Sequence, residues 1–498
     1  MSRTPSILAI DQGTTGTTCL VISDDGRVLG RAYSEFTQYF PQPGWVEHDA
    51  LEIWDVTQAV AREALASAAE ADVRGVGITN QRETVVLWDR ETLEPVHRAI
   101  VWQDRRTAGL CADLKEAGHE PEVRQRTGLV LDPYFSGTKL LWLFRERPDL
   151  RARAEAGELA AGTIDTWLIA RLTSGAVHAT DPTNASRTLL YNLSLAEWDP
   201  WLLDILEIPR AVLPEVRASS GDFGTTRGEA LGIEVPVAGV AGDQQAALFG
   251  QGCWSPGLAK STYGTGAFLL MFTGDRIVPS NHGLLTTAAC DSKGELAFAL
   301  EGSVFIAGAA IQWLRDGLGL IDSASESEVM AAGLESNEGV YFVPAFVGLG
   351  APHWMPDARG ALFGLTRGTT REHLVRAALE AMAYSTHEVL TAMEADSSTE
   401  TTELRVDGGV ANNDWFLDFQ AGLLGVPVRR PALVETTALG AAGLAGLAIG
   451  LWSDGDDFIA SQGEATRFTS SMSEDERAAL LAGWGRAVQA VKGLAAHD

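Results

Sequence analysis

Short apolar runs alternate with longer segments of mixed polarity along the chain. The first runs, residues 7–10 and 18–22, flank a tip of glycine and threonine, and residues 27–35 follow them, so the pattern predicts three strands. Residues 45–71 are rich in alanine, glutamate and leucine and are predicted to form a helix. Strands that alternate with helices in this way indicate an α/β fold with a largely buried sheet.

Two further buried strands are predicted from continuous apolar runs. Residues 73–79 precede the polar loop 80–83, and the apolar residues 84–88 are predicted to be the return strand. Residues 235–241 end just before Asp243, where a helix is expected to begin. Both runs place polar side chains at the carboxyl end of a buried strand, which is where open α/β sheets bind their ligands.

One strand–tip–strand pattern occurs twice. Residues 258–271 repeat the glycine- and threonine-containing tip and the apolar flanks of residues 7–22. Such tips let backbone N–H groups approach an anion closely, although each segment alone is equally consistent with an ordinary hairpin. Two of them together predict a nucleotide held between two related domains.

A turn-rich segment at residues 250–257 predicts the boundary between these domains. We expect an N-terminal domain of residues 1–251 and a C-terminal domain of residues 257–498. In the second domain, a strand at 403–406 leads into a glycine turn, and a helix at 437–450 carries glycines that would let it pack closely against a neighbour.

Composition limits the partners of the chain. A net charge of −28 argues against nucleic acid and against anionic membrane surfaces, and no apolar run approaches the ~18 residues of a membrane span. The four cysteines are far apart and form no CxxC pair, which fits reduced thiols. Because no signal-peptide pattern precedes the first strand, we expect a cytoplasmic protein.

Two carboxylates at strand ends are candidates for chemistry. Asp11 closes the first strand beside the first tip and could hold Mg²⁺, or it could simply cap a turn. Asp243 could accept the proton of a hydroxyl whose oxygen attacks phosphorus, or it could be a helix N-cap. The sequence alone leaves both alternatives open.

Polar and aromatic residues suggest what such a site would bind. Arg82 and Glu83 could donate to and accept from neighbouring hydroxyls of a polyol, or form a surface ion pair. Trp102 and Tyr134 could wall such a substrate, or belong to the core. The turn at 408–413 could lie against a nucleoside, or be an ordinary tight turn.

Familiar nucleotide and hydrolase motifs are absent. Lys260-Ser261 resembles the end of a P-loop, but Ala259 precedes the lysine and the leading glycine is misplaced. No GxSxG elbow occurs, and the histidines show no paired-ligand spacing, so no histidine metal site is predicted.

With these residues in place, the chain resembles the FGGY family of carbohydrate kinases over about residues 6 to 452. The resemblance is carried by long motifs, which are AIDQGTT at 9–15, GITNQRE at 77–83, DPYFSGTK at 132–139, AGDQQAALFG at 241–250, STYGTG at 261–266, AGAAIQWLR at 307–315, PAFVGLGA at 344–351 and ARGALFGLTRG at 358–368. It implies an α/β fold of two duplicated ribonuclease H-like domains, of the actin and hexokinase type, with an active-site cleft between them.

The resemblance is to the family members that phosphorylate glycerol, and it implies ATP-dependent formation of sn-glycerol 3-phosphate with Mg²⁺. The implied polyol contacts are Arg82, Glu83, Trp102, Tyr134, Asp243, Gln244 and Phe268. The implied phosphate and nucleotide contacts are Thr14, Thr15, Thr265, Gly266, Gly308, Gln312, Gly409 and Asn413. Asp243 would be the general base and Asp11 the Mg²⁺ ligand. A homodimer or homotetramer is also implied.

Two positions depart from the family's common pattern. Thr18 stands where many relatives carry arginine, which leaves the choice of phosphate donor open. Glu234 stands where members inhibited by fructose 1,6-bisphosphate carry arginine, and a carboxylate there would repel a sugar bisphosphate. We therefore predict weak or absent inhibition by that metabolite.

Three other functions are compatible with parts of the sequence. Another kinase of the family would act on a pentulose, gluconate or a longer polyol, whereas Arg82-Glu83 with Trp102 and Phe268 favours a small triol. An actin- or Hsp70-like ATPase would hydrolyse ATP without an acceptor and would need a partner-binding region that the chain does not display. An inactive sensor would not need the complete set of site residues.

Overall fold

The structure is a computed structural model, which describes residues 3–470 and 472–495. Most of its strands are short. In chain order they are β1 (Thr4–Gln12), β2 (Gly16–Ser23), β3 (Val28–Glu35), β4 (Gln38–Tyr39), β5 (Glu47–His48), β6 (Ala71–Asn80), β7 (Val85–Asp89), β8 (Ala99–Ile100), β9 (Leu159–Thr163), β10 (Ala179–Thr180), β11 (Tyr191–Asn192), β12 (Glu197–Trp198), β13 (Glu215–Val216), β14 (Val237–Gly242), β15 (Leu258–Tyr263), β16 (Ala267–Gly274), β17 (Leu285–Cys290), β18 (Leu296–Val304), β19 (Tyr341–Val343), β20 (Ala361–Phe363), β21 (Glu403–Asp407), β22 (Val428–Arg430) and β23 (Thr466–Phe468).

The α-helices lie between these strands and at the C-terminus. They are α1 (Ala50–Ser67), α2 (Ala108–Glu116), α3 (Glu120–Thr127), α4 (Ser136–Glu146), α5 (Pro148–Glu155), α6 (Ile164–Leu172), α7 (Pro182–Ala185), α8 (Pro200–Ile205), α9 (Gly228–Leu231), α10 (Asp243–Gly250), α11 (Gly308–Gln312), α12 (Glu326–Ala332), α13 (Arg371–Ser397), α14 (Asp414–Leu424), α15 (Thr436–Ala448), α16 (Gly455–Ser461) and α17 (Glu474–Ala495). Within the described ranges, no helix combines the length and apolar character needed to cross a bilayer.

Two sheets share one topology, which confirms the predicted duplication. The first sheet has the order β3-β2-β1-β6-β14, with antiparallel pairs among β1, β2 and β3 and parallel pairs from β1 to β6 to β14. The second sheet contains β18-β16-β15-β21-β22 with the same directions, and β17 and β23 extend its edges. This order of three antiparallel and two parallel strands is the ribonuclease H-like arrangement that the sequence resemblance implies.

The helices repeat along with the strands. In the first half α1 precedes β6, α6 precedes β14 and α10 follows it. In the second half α13 precedes β21, α14 precedes β22 and α15 follows it. The equivalent helices α10 and α15, each of which follows the last parallel strand of its repeat, pack against each other between the two sheets. Their apolar side chains form a core with β1 and β2.

Glycines allow α15 to approach both α10 and the first sheet closely, as predicted for the segment at 437–450. A Cβ atom on Gly440 would lie 1.8 Å from the carbonyl oxygen of Ala246, and a Cβ atom on Gly77 would lie 2.1 Å from that of Ala441. Although α15 follows the predicted domain boundary, it packs on β1, β6 and β14 of the first sheet. Helix α15 therefore ties the second half of the chain to the first.

Two local predictions were wrong. Residues 85–89 do not return beside β6 but pair with β8 and β9 in a separate sheet of order β4-β5-β8-β7-β9, because the chain turns away at Glu83, whose φ is +62°. The first helix begins at Ala50 rather than at residue 45, because the Asp49 side chain caps it by accepting from Leu51 N at 2.9 Å.

Candidate active site

Polar side chains from both halves meet where the two sheets face each other. Arg82 follows β6 and is fully buried, and its guanidinium contacts carboxylates from two other elements, β18 and α10. Nη1 donates to Glu301 at 2.5 Å, Nη2 donates to the same carboxylate at 3.1 Å, and Nε lies 3.2 Å from Oδ1 of Asp243. Nη1 also donates to Gln245 at 3.2 Å. Arg82 thus joins the expected base to a carboxylate of the second sheet.

Glu83 has an unusual backbone conformation and a fixed side chain. Its φ of +62° is rare for a residue other than glycine, and such strain often marks a functional position. The Arg187 Nε donates to Oε1 of Glu83 at 2.6 Å. Burial raises the pKa of Glu83, while Arg187 and Arg82 oppose that rise. No hydrogen bond within residues 3–470 and 472–495 uses Oε2, so this oxygen can accept from a hydroxyl.

Asp243 and Asp11 lie at the ends of β14 and β1. Asp243 is half-buried, and its Oδ1 accepts from the Gln244 backbone N–H at 2.7 Å. Asp11 accepts from the Thr437 hydroxyl at 2.6 Å. Burial raises the pKa of Asp11 to about 6, helped by the negative charge of Asp243 and opposed by the Thr437 hydrogen bond. The two carboxylates are close enough to influence each other.

Aromatic side chains form a wall beside this cluster. Trp102 and Tyr134 meet edge to face with ring centroids 5.5 Å apart, and the Trp102 indole N–H donates to the Thr14 hydroxyl at 2.9 Å. Lys139 fixes the loop that carries Tyr134, because its Nζ donates to the carbonyls of residues 133 and 134 at 2.7 Å and of residue 135 at 3.1 Å. The predicted polyol and phosphate residues Trp102 and Thr14 are therefore in direct contact.

Lys260 reaches the cluster from the second sheet. It is fully buried on β15, and its Nζ donates to the amide oxygen of Gln244 and to the Thr262 hydroxyl, the latter at 2.9 Å. Burial lowers the pKa of Lys260 to about 8, and the carboxylates of Asp407 and Asp243 oppose this shift. Gln244, a predicted polyol contact, is thus held by a cation from the other half.

The two hairpin tips close in the same way. Gly13 N donates to Gly16 O, and Gly264 N donates to Gly266 O, each over 2.9 Å. The second tip is packed against α11, because a Cβ atom on Gly308 would lie 2.6 Å from the Gly264 carbonyl oxygen and 3.4 Å from Val410. The tip, the start of α11 and the turn at 408–413 therefore form one continuous surface in the second half.

The remaining predicted residues have no contact with the ionic cluster among the hydrogen bonds and ion pairs of the described residues. Asn413 caps α14 by accepting from Phe416 N at 2.8 Å. Four predicted residues make no side-chain hydrogen bond or ion pair with the ionic cluster among the described residues. They are Thr15 and Thr265 at the tips, Phe268 on β16 and Gln312 at the end of α11. Gly409 is exposed in the turn after β21.

Three ionic residues of the cluster, Arg187, Lys260 and Glu301, were not predicted from the sequence. Glu301 interrupts the apolar first half of β18, and such a charge signals a buried partner, whereas Lys260 lies among polar residues of β15 and gives a weaker signal. Arg187 follows the short helix α7 and carries no comparable signal. The pKa of Glu301 would be raised by burial, but Arg187 and Arg82 outweigh that effect and hold it at about 2.

The carboxylates fit a hydrated Mg²⁺ rather than a cage of protein ligands. No cluster of three or more histidine, cysteine, aspartate or glutamate side chains in the described part of the chain is arranged to hold a metal. Mg²⁺ commonly takes one or two carboxylates and keeps several waters and phosphate oxygens. Asp11, with one carboxylate oxygen engaged by Thr437 and the other without a hydrogen bond among the described residues, is compatible with that role.

The chain is similar to known proteins over nearly its whole length. The FGGY family of carbohydrate kinases matches with its N-terminal domain at residues 6–250 and with its C-terminal domain at residues 259–449. The chain is 58% identical over 485 residues to the glycerol kinase of Dechloromonas aromatica, covering 97% of each chain. It is 55% identical over 487 residues to that of Thermus thermophilus, covering 97% of this chain and 98% of the relative. The crystal structure of Plasmodium falciparum glycerol kinase with ADP superposes with a TM-score of 0.92 at 36% identity, covering 98% of each chain.

Proposed function

This chain belongs to the FGGY family of carbohydrate kinases, and we propose that it transfers the γ-phosphoryl group of ATP to glycerol, giving sn-glycerol 3-phosphate and ADP. Full-length identity above one half to proteins named glycerol kinase supports this substrate. The likeness to a glycerol kinase bound to ADP supports the nucleotide.

Arg82 and Glu83 bind and orient the triol. Arg82 donates to hydroxyl oxygens, Oε2 of Glu83 accepts from a hydroxyl, and the Trp102 and Tyr134 rings exclude water on one side. Gln244 and Phe268 complete the proposed pocket. These groups suit a polyol, because each polar group of the site needs a hydrogen-bonding partner on the substrate.

Asp243 acts as the general base in this proposal. It lies beside Arg82, with Nε and Oδ1 3.2 Å apart, so its carboxylate is oriented before the substrate binds. Oδ1 or Oδ2 accepts the proton of the 3-hydroxyl while that oxygen bonds to phosphorus and the bridging oxygen of ADP departs. In-line transfer of this kind depends on positioning and charge more than on covalent help from the protein.

Asp11 holds Mg²⁺ in this proposal, and the metal would neutralise negative charge on the transferred phosphoryl group. The proposed contacts of ATP divide between the two halves. Thr14 and Thr15 lie at the first tip, and the others lie at the second tip, on α11 and in the turn after β21: Thr265, Gly266, Gly308, Gln312, Gly409 and Asn413.

The four cysteines are free and buried, which suits a reducing compartment, and we place the reaction in the cytoplasm. We also propose a homodimer or homotetramer, which light scattering of the purified chain would test.

The ionic contacts of Arg82 with Asp243 and Glu301 are the observation that carries the proposal, because they join the acceptor site to the base. The test is ADP release from Mg·ATP, measured first with glycerol and then with pentuloses, gluconate and longer polyols. We expect turnover that depends on glycerol. Turnover with another acceptor alone would reassign the pocket, and hydrolysis indifferent to every acceptor would indicate a conformational ATPase.

A further inference from the structure

A closed ring of four buried ionic side chains crosses from one sheet to the other. Glu301 on β18 accepts from Arg82 through both carboxylate oxygens and from Arg187 Nη2 at 3.0 Å. Arg187 donates to Glu83 at 2.6 Å, and Glu83 lies 3.9 Å from Nε of Arg82. Each of these side chains is at most 2% exposed. Positive and negative charges alternate around the ring and cancel.

The ring leaves few donors of Arg82 free. A guanidinium has five N–H groups. Glu301 and Gln245 take three of them and Nε faces Asp243, so among the described residues one N–H of Nη2 has no partner, and a substrate hydroxyl bound between Nε and Asp243 could use the other. Because a bidentate carboxylate fixes the plane of a guanidinium, Glu301 decides where these two remaining donors point.

Glu301 acts on Glu83 in the same way through Arg187. Arg187 uses Nη2 for Glu301 and Nε for Glu83, so one rigid planar group sets the position of both carboxylates. Oε2 of Glu83 is the oxygen left to accept from a hydroxyl. The two side chains expected to bind the polyol therefore take their orientation from a single carboxylate on the opposite sheet.

We propose that Glu301 is a positioning residue for the phosphoryl acceptor, holding Arg82 and Glu83 in the geometry that binds adjacent hydroxyl groups of a polyol. This inference rests on the proposed function. If Glu301 positions these two side chains, the acceptor pocket is complete only when β18 lies against the loop at residues 81–84. Acceptor affinity thus depends on the second half of the chain, although the acceptor's proposed hydrogen-bonding partners are on the first.

A purely structural role for Glu301 would be to neutralise two buried arginines. The chain offers a matched control for that role. Glu380 on α13 is equally buried and accepts from Arg376 at 2.7 Å, from Asn337 at 2.6 Å and from Tyr384 at 3.1 Å, without contacting the ring. Loss of either carboxylate removes a buried counter-charge, but only one of the two losses disturbs Arg82.

The experiment compares E301Q, E301D and E380Q in the full chain, with KM for glycerol, KM for ATP, kcat and Tm measured for each. We expect E301Q to raise KM for glycerol by about tenfold or more while KM for ATP stays within about threefold. E301D, which keeps the carboxylate, should recover part of the loss. E380Q should lower Tm as E301Q does and leave both KM values unchanged.

An unchanged KM for glycerol in E301Q would overturn the proposal, and so would a rise in both KM values that E380Q reproduces. If E301Q does not fold, R187K carries the same comparison, because a lysine cannot hold Glu301 and Glu83 together through one planar group. Absence of glycerol-dependent ADP release from the unmodified protein is a distinct outcome, which refutes the proposed function and this inference with it.

Discussion

The Thr437 hydroxyl donates to Oδ2 of Asp11 over 2.6 Å, although 426 residues separate the two in the chain. Thr437 lies in the first turn of α15, which packs on the first sheet, and Asp11 lies near the end of β1. The packing of α15 therefore adjusts the acidity of the carboxyl group proposed to hold Mg²⁺. Oδ1 accepts no hydrogen bond from the described residues and is the oxygen available to the metal or its water.

Mg²⁺ dependence should therefore change near pH 6. The pKa of Asp11 is about 6, and a protonated carboxyl does not hold the metal, so the Mg²⁺ concentration for half-maximal rate should rise about tenfold per pH unit below 6. The stability effect has the opposite direction. The folded protein binds this proton more tightly than the unfolded chain, so the contribution of Asp11 is complete below its usual pKa of 3.8 and is lost as pH rises through about 6.

Initial rates at several Mg²⁺ concentrations between pH 5 and 8 measure this dependence. Because ATP also releases Mg²⁺ in acid, the comparison with Thr437→Val is the decisive one. This variant removes the hydrogen bond that lowers the pKa of Asp11, so its Mg²⁺ requirement should begin to rise at a higher pH. Identical profiles for the two proteins would contradict the role of Asp11.

Acceptor binding should weaken above pH 8. Burial lowers the pKa of Lys260 and of Lys139 to about 8, and both donate as ammonium groups to residues of the acceptor pocket. A neutral amine has two N–H groups, so it cannot serve all three carbonyls that Lys139 holds. We expect KM for glycerol to rise between pH 8 and 9.5 while KM for ATP changes less.

The variant Lys260→Arg separates the two lysines, since arginine stays charged throughout this range. If Lys260 is responsible, the rise in KM should move beyond pH 9.5 in this variant, and if Lys139 is responsible it should remain. A KM for glycerol that is constant to pH 9.5 in the unmodified protein would contradict both. For stability, the folded state favours the neutral amine, so each lysine's contribution is present above pH 10.5 and is lost as pH falls through about 8.

Local patterns predicted the two hairpins, β6, β14, β21 and several helices, but neither the elements between residues 90 and 234 nor the ring. The two hairpins and β14 are apolar runs next to glycine, and the apolar part of β6 ends at a polar loop. Such runs have few alternatives to a buried strand. Glu301 shows by its place in an apolar strand that it needs a partner, yet Arg82 lies 219 residues away and nothing in the sequence connects them. The partner of β7 was missed for a related reason, because one positive φ at Glu83 redirects the chain.

Gly440→Ala should destabilise the contact between α10 and α15. The added methyl group would lie 1.8 Å from the Ala246 carbonyl oxygen, a backbone atom that cannot move alone. Overpacking of this kind costs about 1–3 kcal/mol. We expect the free energy of unfolding, measured in urea, to fall by an amount at the upper end of this range. Gly485→Ala on α17 is the control, because its methyl group meets no atom within 4 Å and should stabilise the helix by up to about 1 kcal/mol. Equal effects of the two changes would contradict the close approach of the helices.

Fructose 1,6-bisphosphate is expected to inhibit the protein weakly. Glu234 is exposed beside Gly228, and its carboxylate repels a doubly phosphorylated sugar. Inhibition curves for the unmodified protein and Glu234→Arg, measured at low and at physiological salt, test this. The substitution should increase sensitivity, most at low salt where charges are least screened. Strong inhibition of the unmodified protein at physiological concentrations of the metabolite would show that the charge at residue 234 does not control binding.

Asp243→Asn should separate catalysis from binding. Asparagine keeps the shape of the side chain and can still face Arg82, but it cannot take the hydroxyl proton, so kcat should fall by about 10²–10⁴. Because Asp243 lies on the acceptor side, the affinity for ATP should change little, which nucleotide titration would measure independently of turnover. The exposed Asp275→Asn is a control for the loss of one negative charge. A kcat near that of the unmodified protein would remove Asp243 from the role of base, and the remaining acceleration would then have to come from alignment and charge neutralisation by Arg82 and the bound metal.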